Sequence, residues 1–110
     1  MEGFVKGDVV VLPFPFSDLS AAKKRPALVV ATLEGDDLIL AQITSVARSD
    51  KYAIRLNDGN FKEGKLPQLS MIRPNKLFTA DTSIIKYKIG LLSEKKIKEV
   101  EETIIQILSS

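Results

Sequence analysis

Lys23, Lys24 and Arg25 stand together immediately before Pro26-Ala27-Leu28-Val29-Val30, and here the chain could do chemistry. The guanidinium of Arg is permanently charged, and its planar fork of N–H donors matches two oxygens of a phosphate. The Lys ammonium groups add charge without that geometry. The apolar, β-branched residues that follow read as a buried strand. Pro26 has no N–H to give a ladder, so the strand is expected to begin there. The cations would then face solvent at a rigid strand mouth, either as a phosphate contact or as a solvated basic loop.

Thr44 is the second candidate. Glu34-Gly35-Asp36-Asp37 reads as a turn between apolar runs at 26–32 and 38–44, which suggests an antiparallel hairpin. In a hairpin, residues equidistant from the turn lie side by side. Arg25 precedes this turn by about as much as Thr44 follows it, so a charged fork and a hydroxyl would face one phosphate. Taken alone, Thr44 reads first as a β-branched residue chosen for strand packing. Ser45, the neighbouring hydroxyl, would point to the opposite face of a regular strand.

Composition narrows the chemistry further. The chain has 110 residues, no His and no Cys. An imidazole pair, a Ser-His-Asp triad, a His-ligated metal and thiolate chemistry are therefore excluded. The acidic residues at Asp36-Asp37, Asp58 and Asp81 fall in separate turns and do not suggest a metal site. A net charge of +2 is too small to choose a partner, so nucleic-acid affinity would have to come from local clustering. No apolar run is long enough to span a membrane, and the N-terminus lacks the pattern of a signal peptide. The chain is expected to be one cytoplasmic domain covering residues 1–110.

The elements that must position these residues are short strands. Val9 to Leu12 reads as the first, ended by Pro13-Phe14-Pro15-Phe16. After the hairpin, 52–56 alternates as a fourth strand, and 69–72 is a fifth, stopped by Pro74. Gly64 and Pro67 argue against a regular element at 61–68, and 75–81 reads as a connector or a brief strand. Ser83 to Leu92 is the last strand. The period then changes: Ser93 is a helix cap, and Ile97, Val100, Ile104, Ile107 and Leu108 form one apolar stripe, with Ile105 at its edge. Strands followed by one helix predict a mainly β, small, strongly bent antiparallel sheet with the helix packed on it. Phe14 and Phe16 read as base-stacking platforms or as packing. Lys51, Arg55 and Arg73 read as a basic groove or a solvated face, and Tyr52 and Tyr87 as core edges.

Gly7-Asp8-Val9-Val10, Pro13-Phe14-Pro15-Phe16, Lys24-Arg25-Pro26-Ala27-Leu28-Val29-Val30, Gln42-Ile43-Thr44-Ser45, Ser70-Met71-Ile72-Arg73 and Ile89-Gly90-Leu91-Leu92-Ser93 occur in that order. In order and spacing the chain resembles the MazF/PemK-like toxins over nearly its whole length. The resemblance implies an SH3-like barrel of five to six antiparallel strands with a C-terminal helix, a homodimer, and a cognate antitoxin as partner. It implies a metal-independent endoribonuclease, with no cofactor, that cuts single-stranded RNA such as mRNA through attack of the 2′-hydroxyl, leaving a 2′,3′-cyclic phosphate. Arg25 falls on the family's catalytic arginine, stabilising charge and taking part in proton transfer, and Thr44 on its catalytic threonine. Lys23, Lys24, Ser45, Ser70 and Lys76 would contact RNA. The chain departs from the family at Ser20-Ala21-Ala22-Lys23-Lys24, where an acidic-amide-Gly stretch is usual, and at Lys76 and Phe78, where Gln and Arg are frequent. Two other readings stand beside this one: a catalytically idle barrel that binds RNA or protein, and a topoisomerase poison of the CcdB type.

Overall fold

Apolar residues dominate both faces of the central strands, and the sheet buries both. The computed structural model describes residues 3–14, 23–45 and 50–110. Its strands are β1 (Asp8–Phe14), β2 (Lys23–Thr32), β3 (Asp37–Thr44), β4 (Ile54–Leu56), β5 (Phe61–Gly64), β6 (Ser70–Asp81) and β7 (Tyr87–Leu92), followed by helix α1 (Glu94–Ser109). All the pairings are antiparallel, in one sheet ordered β4-β6-β3-β2-β1-β7-β5. The architecture is mainly β, that of a small SH3-like barrel with one C-terminal helix. Among the described residues it has seven strands, where five to six were expected.

Side chains alternate between two clusters. Val9, Leu28, Ala41 and Ile43 join one, and Ile97, Val100 and Ile104 of α1 close it. Val10, Leu12, Phe14, Ala27, Val29, Leu38 and Leu40 join the other. Strands buried on both faces lose the apolar–polar alternation of a half-exposed sheet. The helix starts where expected, with the Ser93 hydroxyl accepting from the Lys96 N–H at 3.3 Å. Its stripe docks only in part: Ile105 and Leu108 are 57% and 75% exposed.

Prolines stop ladders here rather than strands. β1 runs on through Pro13 and Phe14, paired with Lys24 and Lys23. The Val11 carbonyl accepts from Lys86 on the β7 side, and alternation turns Pro13 to that same side, where the β7 pairing has already ended. No ladder bond is lost there. Pro26 likewise does not begin β2, which starts at Lys23. It lies opposite Val11, faces away from β1, and points toward β3 where that ladder stops at Ala27–Gln42. Pro74 does not end a strand either. Gln42 pairs with Arg73 and Ala41 with Leu77, so Pro74, Asn75 and Lys76 bulge out of a single long β6.

Two expectations around β7 are also corrected. Phe61 to Gly64 forms edge strand β5 on β7, because Gly64 adopts φ +73° and lies directly against Gly90. The span 82–84 is a short 3-10 turn capped by the Asp81 carboxylate, which accepts from the Ser83 N–H at 2.8 Å, so β7 begins only at Tyr87.

Candidate active site

Because Pro26 cannot bridge to β3, the sheet opens beyond Ala27–Gln42, and a cavity of about 310 Å³ lies at the opening. Lys24, Arg25 and Pro26 line it from β2, and Ile43, Thr44 and Ser45 from β3. The Ala27–Gln42 register, carried two residues further, sets Arg25 opposite Thr44. Each is held from its outer side: Arg25 by pairing with Leu12, and Thr44 by pairing with Met71. The hairpin thus spaces the two residues as their distances from the turn predict, with a single-residue irregularity between Val29 and Ala31.

Burial differs from residue to residue. Lys23, Lys24 and Ser45 are exposed, Arg25 is half-buried rather than free in solvent, and Thr44 is only 5% exposed. Lys23 neighbours the cavity along the strand without lining it. Ser70 does line it, buried, and its hydroxyl donates to the Gln68 carbonyl at 3.0 Å. Lys76 does not join this group and lines a neighbouring cavity. Phe14 packs edge-on against Phe78, ring centres 4.8 Å apart, and is buried. Phe16 and residues 20–22 of the loop lie outside the described residues.

Among the described residues the cavity is electrostatically one-signed: no Asp or Glu of theirs lines it, and none of their carboxylates forms an ion pair with Lys24 or Arg25. Such a cleft attracts anions. Among the described residues no three His, Cys, Asp or Glu side chains gather as cation ligands. Guanidinium, ammonium and hydroxyl groups around one hollow can bind a phosphate and neutralise charge that develops on its oxygens.

Arg73 is not part of this surface. Its Nε donates to Asp50 at 3.0 Å, with both side chains largely buried. The Tyr52 N–H, followed by Arg73, holds the Asp50 carboxyl below its ordinary range. Lys51 instead sits 5.3 Å from the ring centre of Tyr52. Neither tyrosine is a core edge; both are exposed, and Tyr87 lines the cavity. Leu66, Pro67, Gln68 and Ile89 also line it. Sequence reading misses Leu66, Pro67 and Gln68 because 61–68 carries no period that would place it over the hairpin end.

Residues 5–108 match the family of PemK-like, MazF-like toxins of type II toxin–antitoxin systems. No curated protein sequence matches the chain. Among solved structures, an endoribonuclease from a mycobacterial species in complex with its cognate antitoxin superposes with a TM-score of 0.77 at 11% identity, covering 97% of this chain and 96% of that one. The Mycobacterium tuberculosis toxin MazF-mt6 superposes with a TM-score of 0.72 at 17% identity, covering 93% and 96%. A further mycobacterial endoribonuclease gives 0.74 at 12% identity, covering 99% and 94%. Among the described residues no helix is long and apolar enough to cross a membrane. The sequence match along nearly all its length, on a sheet opened at Arg25-Pro26, makes this chain a member of the PemK-like, MazF-like toxin family.

Proposed function

We propose that the chain is the toxin of a toxin–antitoxin pair and cuts single-stranded RNA without a metal. The observation that carries this reading is the opening made by Pro26, with Arg25 and Thr44 at one register position across it and, among the described residues, no carboxylate in its lining. The substrate's 2′-hydroxyl attacks the adjacent phosphorus. As O2′ gives up its proton a bond forms from it to phosphorus, the bond from phosphorus to O5′ breaks, and O5′ takes up a proton, with Arg25 taking part in the transfer. The products end in a 2′,3′-cyclic phosphate and a 5′-hydroxyl, with no net change in protons. The nucleophile is already beside the phosphorus, so no water has to be captured or activated. Arg25 places its paired donors on the non-bridging oxygens as their charge grows, and the Thr44 hydroxyl bonds the same phosphate. Lys24, Ser45 and Ser70 hold the flanking strand.

The protein works as a homodimer whose RNA groove draws on both copies. An acidic segment of the antitoxin competes with RNA, since Lys23, Lys24 and Arg25 attract carboxylates as they attract phosphates. The chemistry is tested with purified protein and a single-stranded RNA in excess EDTA. The expected result is cleavage to a cyclic phosphate, with none when the target nucleotide is 2′-deoxy. A requirement for magnesium, or equal cutting of DNA, would sink the mechanism.

A further inference from the structure

Gln42 is only 8% exposed, and among the described residues its Oε1 meets no hydrogen-bond donor. A buried acceptor left bare keeps its desolvation cost uncompensated, and native proteins rarely hold one without a use. Gln42 lines a second cavity of about 350 Å³, walled by Leu12, Phe14 and Phe78, with Lys76 also on its lining. That volume is at the small end of ligand pockets, and its makeup follows their pattern of apolar walls around a few polar groups. Gln42 and Thr44 are alternate residues of β3, and so share a face of the strand. On β2, Ala27 pairs with Gln42, and Arg25 shares Ala27's face. The second cavity therefore begins one step along the sheet from the opening that holds Arg25 and Thr44.

We infer that this cavity is a nucleobase pocket, in which Gln42 reads the base next to the phosphate gripped by Arg25. The ligand is a single nucleobase of the RNA whose edge N–H donates to Gln42 Oε1. Its ring lies against half-buried Phe78, itself braced edge-on by Phe14. Single-stranded RNA presents such unstacked base edges to proteins. An amide set in an apolar pocket discriminates, because a base that fails to donate leaves the acceptor bare. A peptide side chain could enter the same walls, but Gln42 lies two residues along β3 from Thr44, on the same face and beside the proposed phosphate site, which favours a nucleotide. The inference rests on the ribonuclease reading for its substrate class and deepens it by naming a specificity residue.

Gln42→Leu keeps the volume and removes the acceptor; Gln42→Met, unbranched and apolar, is the second variant. The probes are a randomised single-stranded RNA for cleavage and, for binding, a non-cleavable 2′-deoxy oligonucleotide of the word selected by binding from a randomised 2′-deoxy pool. We expect both variants to lose at least tenfold preference at one nucleotide position, to bind the preferred word correspondingly less well, and to melt no lower than the parent. The rise or constancy of the melting temperature separates lost recognition from damaged folding. Unchanged word preference and unchanged oligonucleotide affinity in both variants would overturn the pocket. So would a loss confined to an acidic antitoxin-derived peptide, which would assign the cavity to protein. If the parent cuts no RNA yet binds the oligonucleotide in a Gln42-dependent way, the pocket stands and the cleavage reading falls.

Discussion

At the scale of single residues, Arg25 and Thr44 invite separate tests because their burial differs. Arg25 is half-buried with Leu12 as its strand partner, so Arg25→Ala should keep the fold and lose cleavage. Arg25→Lys should not restore it, since an ammonium cannot offer two parallel donors to a phosphate. Thr44→Val preserves the β-branched shape in a buried position and removes only the hydroxyl. A loss on the order of one hundredfold in rate, about 3 kcal/mol of barrier, is expected; unchanged rates would shift the role to Ser45. Asp50 supplies a prediction about stability. Its carboxyl titrates below the ordinary value of 3.8 in the folded chain, chiefly through the Tyr52 N–H and then Arg73. A depressed carboxyl stabilises the fold above its unfolded pKa, and that contribution is lost as pH falls through the folded one. Asp50→Asn should therefore cost about 1–3 kcal/mol at neutral pH by stranding Arg73. In acid melts the gap between variant and parent should close below about pH 4; a gap that persists there would point to packing instead.

At the scale of elements, prolines separate what the sequence reveals from what it hides. The β2–β3 hairpin is legible because its turn residues and the two apolar runs agree, and counting outward brings Arg25 to Thr44. What could not be counted is which ladder each proline interrupts. Pro13, Pro26 and Pro74 all read as strand ends, because a missing N–H forbids a ladder bond. A strand has two sides, however, and only pairing partners tell which side a proline faces. Pro26 faces β3, and the lost bond opens the site; Pro74 sits in a bulge, and β6 continues past it. Edge strand β5 was hidden for a related reason. Gly64 looks like a breaker, yet its φ of +73° ends the strand in close contact with β7. A Cβ on Gly64 would clash with the Ile89 carbonyl oxygen. Gly64→Ala should therefore destabilise the protein by about 2–3 kcal/mol in denaturant melts, through the positive φ and the clash together. It should also loosen the 66–68 segment over the site, lowering activity. A neutral effect on both would mean that β5 does not brace that segment.

At the scale of the whole molecule, the helix leaves apolar surface that folding of one chain does not use. Ile105 and Leu108 are exposed beside a groove between α1 and the sheet, and Leu77, 40% exposed on β6, lines the same groove. Its remaining lining includes Val30, Ile39, Ile97 and Ile104, with Lys6 and Glu101 bonded to each other at its rim. A rim ion pair around an apolar centre is the anatomy of an interface, and the occupant proposed for it is a second copy of this chain, the homodimer of the functional reading. Burying two large side chains contributes roughly 1.5–3 kcal/mol each, enough to decide whether a dimer persists at micromolar concentration. Ile105→Glu with Leu108→Glu places charges in that seam without touching a buried position. Sedimentation should show the parent as a dimer and the double variant as a folded monomer, with its helix signal retained. Because the RNA groove is proposed to draw on both copies, cleavage by the variant should fall, and cleavage by the parent should weaken on dilution below its dissociation constant. Added salt should loosen RNA binding, carried by Lys24 and Arg25, while leaving the apolar seam closed. A parent that sediments only as monomer, or a monomeric variant with full activity, would remove the second copy from the mechanism.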